Sequence, residues 1–291
     1  MIDLHTHSKY STDGIEEVCD MLKLAESIKL KALSITDHNS CKAYIDLKDK
    51  ETRNMFSGKI ITGVELNTKV LGIPIEILGY NIDTNLMQKY IDETYLNSIE
   101  RNKIELERLY EKCIKAGVVL PDNFVENYDG KIFGSKYLYQ YIKENPDNHK
   151  FFSEASWNNS NIFYREYMSN PNTAFFVDMN DLLPDFELAS EIVKESGGLV
   201  FLPHIFEYRE NSEKILKFIL ENYKFDGIEC YYRNFTEDQT KYLTKICKEY
   251  KLLKSGGSDY HGRVKNNVKM GTGEGNLNVP DDIINDWASF I

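Results

Sequence analysis

An α/β fold, in which strands feed into helices, is what this sequence predicts, and three observations predict it. Short apolar runs of strand length alternate with helical patterns over residues 1–84, and the same alternation returns after residue 185. Residues able to ligate metals fall where those runs end. At 291 residues the chain can build one large domain of barrel type or two ordinary ones, and either buries a sizeable core.

The elements follow in order. Residues 1–5 read as a strand, 15–29 as an amphipathic helix, and 32–36, 60–66 and 75–80 as strands. From 85 to about 117 the pattern becomes one long charge-laced helix or a helix pair, with Leu86, Tyr90, Ile99, Leu106 and Leu109 as face residues. Residues 118–184 are rich in Asn, Tyr and Phe, with a helical stretch at 136–143 and Pro171 and Pro184 as punctuation. The rhythm resumes with a helix at 186–196 ended by Gly197-Gly198, a strand at 199–202, a helix at 212–222 and a strand at 227–231. A helix at 236–250, a strand at 252–256 and a last helix at 280–287 complete it. The expected organisation is a strand-bearing domain of residues 1–87 and 184–291, interrupted by a mostly helical insertion at 88–183 that caps the catalytic ends of the strands.

Composition narrows the function classes. No apolar run approaches the ~20 residues of a membrane span, and a His pair at residues 5 and 7 leaves no room for a cleavable signal, so a soluble, cytoplasmic protein is expected. Five cysteines without a C-x-x-C spacing signal neither a disulfide framework nor a thiolate zinc site. A net charge of −11 disfavours extended binding to a nucleic-acid backbone, which needs a basic stripe.

The chemistry lies in the clusters. Five of the six histidines sit in Asp3-Leu4-His5-Thr6-His7, Thr36-Asp37-His38, Pro203-His204 and Ser258-Asp259-Tyr260-His261. Neutral imidazole and carboxylate together bind divalent metals. His5 and His7, two apart on a strand end, share a face. Asp37 is placed to fix the tautomer of a ligand imidazole. Glu65 and Glu229 are carboxylates inside apolar strands, where burial demands a partner: a bridged metal pair for Glu65, and a metal or an internal salt bridge for Glu229. Asp13, in Ser11-Thr12-Asp13-Gly14, reads as a turn or helix cap on its own and as a ligand in this company. His5, His7, Asp13, His38, Glu65, His204, Asp259 and His261 therefore form the expected metal site, at five strand ends. His149, in a polar loop, has no assigned chemistry.

His5-Thr6-His7, Ser11-Thr12-Asp13-Gly14, Thr36-Asp37-His38, Gly63-Val64-Glu65, His204, Gly227-Ile228-Glu229 and Ser258-Asp259-Tyr260-His261-Gly262 resemble the ordered motifs of the PHP family, named for polymerase and histidinol phosphatase. The resemblance spans nearly the whole chain. It implies a distorted (β/α)7 TIM-like barrel with two or three divalent metals (Mn, Zn, Fe or Mg) at the strands' C-terminal ends. By the same resemblance His5, His7, Glu65 and Asp259 hold one metal, Asp13, His38 and His261 another, and Glu65 and His204 help hold a further ion. The insertion resembles the cap of small stand-alone phosphoesterases. Many relatives carry His where Glu76 stands, Arg and His near Lys136, and Pro after rather than before the equivalent of His204.

The reaction expected is hydrolysis of small phosphate esters, nucleotides foremost, by a hydroxide bridging two metals. Lys136, Arg165 and Arg209 are the candidate substrate cations, Glu76 and Glu229 further metal candidates, and His261 a candidate general acid. The alternatives are histidinol-phosphate phosphatase, a 5′-3′ exonuclease on short oligonucleotides, and a catalytically inert PHP domain. The expected partner is a small phosphorylated substrate, with neither extended nucleic acid nor membrane.

Overall fold

In a computed structural model, which describes residues 1–287, the chain divides into two compact units. One comprises Met1–Thr94 with the segment from Leu183 onward, the other Tyr95–Leu182.

The first unit is α/β. Strand β1 (Ile2–Thr6) runs parallel to β2 (Ala32–Ile35), with the helix Val18–Ser27 between them, and β2 runs parallel to the short β3 (Lys59–Ile60). β4 (Gly63–Val70) and β5 (Ile73–Tyr80) form an antiparallel hairpin around Leu71 and Gly72. Both turn residues have positive φ, 53° and 73°, as the tightest hairpin turns require. β5 then pairs antiparallel with β6 (Leu199–Leu202), and β6, β7 (Gly227–Tyr232) and β8 (Leu253–Gly257) run parallel with the helices Ser212–Asn222 and Glu237–Tyr250 as crossovers.

The strands thus make a three-stranded sheet, β1-β2-β3, and a five-stranded sheet, β4-β5-β6-β7-β8, in place of the closed barrel expected from the resemblance. Two features account for the difference. The β4–β5 hairpin interrupts the parallel order, and among the described residues backbone pairing between the two sheets is limited to the isolated bridges Thr6–Tyr260 and His38–Glu65. Pairing also breaks register within β1 between Asp3 and Thr6, and within β7 between Glu229 and Tyr231. Such irregularities bend a strand and re-aim side chains. Here they fall at His5 and Glu229.

The core of this unit gathers Ile2, Leu4, Leu78, Tyr80, Phe201 and Trp287. Tyr80 is fully buried and satisfies its hydroxyl by donating to the Leu4 carbonyl at 2.8 Å, which ties β5 to β1. Gly257 lets β8 lie against β1: a Cβ there would come within 2.4 Å of the His5 backbone nitrogen.

The helical stretch at 85–117 resolves into a pair, Thr84–Thr94 and Ser98–Ala116, and the boundary between units falls between them. Asn97 and Glu100 form a reciprocal capping box that starts the second helix, and Gly117 at φ 86° ends it. Of the face residues expected, Leu106 and Leu109 are buried, Leu86 and Tyr90 are partly covered, and Ile99 is exposed. The inward positions of the first helix are instead Met87 and Ile91, one residue on from those read off the sequence. The second unit packs Leu106, Leu109, Leu138, Ile142, Phe152 and Phe163 around the helices Ser98–Ala116 and Gly134–Glu144. Among the described residues no helix is long and apolar enough to cross a membrane, and the five cysteines are free thiols, four of them buried.

Candidate metal centre

At the ends of β1, β2, β4, β6 and β8 the scattered ligand-type residues of the first unit meet. Glu65 is the hub. Its Oε2 lies 3.1 Å from His5 Nε2, 3.2 Å from His7 Nε2 and 3.4 Å from His38 Nδ1, and its Oε1 lies 2.9 Å from His204 Nε2. Asp259 Oδ1 lies 3.2 Å from His7 Nε2 and 3.3 Å from His261 Nδ1, while Asp13 Oδ2 is 2.8 Å from His261 Nε2 and 3.7 Å from His38 Nε2. All eight expected residues converge.

Three overlapping sets bring their ligand atoms within 4.8 Å of one another: His7, Asp13, His38 and His261; His5, His7 and Glu65; His38, Glu65 and Glu76. Glu76 joins the cluster, with Oε1 3.8 Å from His38 Nδ1 and Oε2 3.5 Å from His204 Nε2. Glu229 does not stand among those sets. Its Oε1 accepts from His5 Nδ1 at 3.0 Å and its Oε2 from the His204 backbone N–H at 2.8 Å, so it orients two residues of the cluster.

The donor set fits divalent cations. His7 Nε2, His38 Nδ1 and His204 Nδ1 are buried nitrogens without a hydrogen-bond partner, although carboxylates surround the first two. Buried polar atoms are seldom left so, and Nε2 of His7 and Nδ1 of His38 are the lone pairs a cation would take. The tautomers agree at two positions. The Ser11 hydroxyl donates to Asp13 Oδ1 at 2.8 Å and so accepts from His7 Nδ1 at 3.3 Å, leaving His7 Nε2 for a ligand role. Glu229 leaves His5 Nε2 in the same position.

Further supports carried no ligand signal in the sequence. Ser11 also accepts the His38 backbone N–H at 3.3 Å. Tyr232 donates to Asp259 Oδ2 at 2.9 Å, and the buried Arg233 reaches the same oxygen at 3.0 Å. Asp3, fully buried, takes the backbone N–H groups of Ser258 and Gly271 and so fixes the loop that carries Asp259. Asp37 binds the backbone N–H and hydroxyl of Ser8, both at 2.6 Å, and not an imidazole as expected. It secures the turn after His7 instead.

Backbone strain marks the same place. Asn39, His204, Arg209 and Asp259 all have positive φ, between 21° and 54°, a region costly for residues with a Cβ. Two of them are cluster residues and Asn39 follows one directly. Arg209 is exposed, with φ 51° and ψ −122°, five residues past His204. Lys136 and Arg165 are exposed residues of the second unit, where His149 pairs with Glu154 at 3.1 Å.

The electrostatics express the crowding of like groups. Burial alone would lower His7 and His204, but the nearby carboxylates, Asp259 and Glu65 for His7 and Glu65 and Glu76 for His204, hold both up at about 9. Burial pushes His38 down to about 4, and burial with the Glu65 charge raises Glu76 to about 7. Glu65 and Asp259 stay well below the ordinary carboxylate range despite burial, held there by their histidines. Ligation requires neutral imidazole, so a cation must displace these protons. Mn uptake at pH 7 is therefore expected to release protons from His7 and His204, with release fading and apparent affinity rising as pH passes through about 9. Calorimetric titration in buffers of different ionisation enthalpy counts them, and a heat independent of buffer at pH 7 would contradict this.

Residues 3–144 match the family model described as the PHP domain. A 5′-3′ exoribonuclease of Haemophilus influenzae is 26% identical over 99% of this chain and 98% of its own length. The 5′-3′ exoribonuclease Rnm of Escherichia coli is 22% identical over 89% of this chain and 84% of its own. Among solved structures, a protein of Bifidobacterium adolescentis described as a metal-dependent phosphoesterase superposes with a TM-score of 0.66 at 18% identity, covering 99% of this chain and 96% of that one. An amidohydrolase of Chromobacterium violaceum with bound sulfate superposes at 0.62, with 17% identity and coverage of 97% and 92%.

Proposed function

We propose that this chain, whose residues 3–144 match the PHP domain model, is a metal-dependent phosphoesterase that removes nucleotides from the 5′ end of short RNA. The observation that carries the hydrolase reading is the convergence of five histidines with Glu65, Glu76, Asp13 and Asp259 on one cluster. The RNA reading draws on relatives named 5′-3′ exoribonuclease that align along most of the chain. It takes the place of small phosphate esters as the first choice, and the net charge of −11 keeps it to short strands, where few phosphates must be held.

The family resemblance implies three holding sets: His5, His7, Glu65 and Asp259 would hold one ion, Asp13, His38 and His261 a second, and Glu65 and His204 would help hold a further one, to which Glu76, 3.5 Å from His204 Nε2, adds a carboxylate. Bound there, divalent ions supply Lewis acidity that activates water and offsets phosphate charge. The chain's own work is positioning. Glu229 and Ser11 set the rings of His5 and His7, Tyr232 and Arg233 hold Asp259, and burial keeps the electrostatics strong. His261 donates through Nδ1 to the Asp259 carbonyl at 2.8 Å, which leaves Nε2 as a lone pair and favours a ligand over a proton donor. Arg209, on its strained turn, is the phosphate cation this reading favours.

The test is a substrate panel with Mn: 5′-phosphorylated RNA of a few nucleotides, nucleoside monophosphates and bisphosphates, and histidinol phosphate. Stepwise release of nucleoside 5′-monophosphates from RNA, abolished by chelator, is the expected result. Inorganic phosphate released from the small esters, with RNA left intact, would overturn the RNA reading and restore the small-ester one.

A further inference from the structure

Positive charge around the cluster is scarce and mostly engaged elsewhere. Lys9 pairs with Glu17 and Arg263 with Glu16, both on the helix-bearing segment after Asp13. Arg233 is committed to the carbonyl oxygens of Ser258 and Asp259 and to Asp259 Oδ2. Lys265 is arranged differently. It closes the turn Gly262–Lys265 that begins directly after His261, and its side chain is 34% exposed. Its Nζ lies 3.4 Å from Asp259 Oδ2 and 3.3 Å from His261 Nε2.

Holding Asp259 does not require this ammonium, because Tyr232 and Arg233 already occupy the same oxygen at 2.9 and 3.0 Å. The His261 ring is oriented without it, since Nδ1 donates to the Asp259 carbonyl at 2.8 Å, and Nε2, 2.8 Å from Asp13 Oδ2, is left as a lone pair for a cation. A lysine poised beside atoms that would ligate divalent cations carries a charge of the same sign as those cations. Repulsion at such a distance is relieved when an anion binds both. The anion this site is proposed to take is a phosphate.

We propose that Lys265 contacts substrate: its ammonium binds a non-bridging oxygen of the scissile phosphoryl group and offsets the charge that grows there during displacement. The proposal rests on the phosphoesterase reading. It adds a residue that the sequence motifs did not single out, at the rim of the cluster beside Asp259 and His261.

The experiment compares the full-length wild type with Lys265→Met and Lys265→Arg by three measurements: Mn stoichiometry, affinity of the Mn-loaded protein for inorganic phosphate by calorimetry, and kcat and KM on short 5′-phosphorylated RNA. Lys265→Met should keep its Mn, lose phosphate affinity by roughly 10-fold and lose kcat/KM by roughly 100-fold, with Lys265→Arg recovering part of both. Phosphate affinity and kcat/KM both within about twofold of wild type in Lys265→Met would overturn the contact, since no transition-state interaction would then have been removed. A loss of activity that follows a loss of Mn would also overturn it, because Lys265 would then be holding ligands in place. Should the wild type itself bind Mn and turn over nothing, the parent reading fails; unchanged phosphate affinity in Lys265→Met then overturns the contact too, and weakened affinity upholds it.

Discussion

Replacing Glu65 with Gln is expected to reduce phosphoester hydrolysis by about three orders of magnitude or more, which corresponds to ~4 kcal/mol of lost transition-state stabilisation. The size follows from position. One carboxylate faces His5, His7, His38 and His204 within 3.4 Å, and it belongs to two of the three overlapping ligand sets. Gln preserves volume and hydrogen-bonding shape but carries no charge, and its amide N–H group turns a donor towards atoms that must themselves be donors or lone pairs for a cation. Folding should survive, because the β4–β5 hairpin and the surrounding apolar core do not depend on the charge. The measurement is turnover with saturating Mn beside metal stoichiometry and far-UV circular dichroism. A folded Glu65→Gln protein with full Mn content and turnover within about tenfold of wild type would remove Glu65 from the centre of the site.

Glu229→Ala should act on stability and metal affinity together. Glu229 is fully buried on β7 and accepts from His5 Nδ1 and the His204 backbone N–H, so truncation strands two buried donors and leaves a gap. Breaking a buried charged pair of this kind costs about 3–5 kcal/mol. In a chain of this length that lowers the thermal midpoint by roughly 5–8 °C. Mn affinity should fall about 10- to 100-fold as His5 loses its orientation. Glu229→Gln distinguishes orientation from ligation. If Glu229 only orients, the Gln variant keeps the wild-type number of ions and binds them more weakly. A whole ion lost from the Gln variant would make Glu229 itself a ligand.

Local pattern exposed much of this architecture in advance. The eight ligand-type residues stood out because polar groups rarely end apolar strands in a group without purpose, and all eight meet around Glu65 and Asp259. Helix ends came within a few residues, since capping chemistry such as Asn97 with Glu100 and the glycine stop at Gly117 is local. Where the sequence predicts one strand at 60–66, the structure has two, Lys59–Ile60 and Gly63–Val70. A two-residue strand beside β2 and an eight-residue hairpin arm differ by pairing partner, which the run of side chains does not encode. Closure into a barrel failed for the same reason, because whether two edge strands join depends on register across residues distant in sequence.

The supporting groups show the limit most clearly. Ser11, Asp3, Tyr232, Arg233 and Lys265 are ordinary polar residues in sequence, and only folding sets them against His7, the Asp259 loop and His261. By itself, then, the sequence determined the α/β alternation, the helical interruption and the identity of the cluster, because period, capping and residue chemistry are properties of neighbours along the chain. Tertiary structure alone decided the two open sheets, the hydrogen bonds of Glu229 to His5 and His204, and the cations beside Asp259. Those depend on contacts between segments as much as 268 residues apart, whose geometry is set by packing and not by local preference.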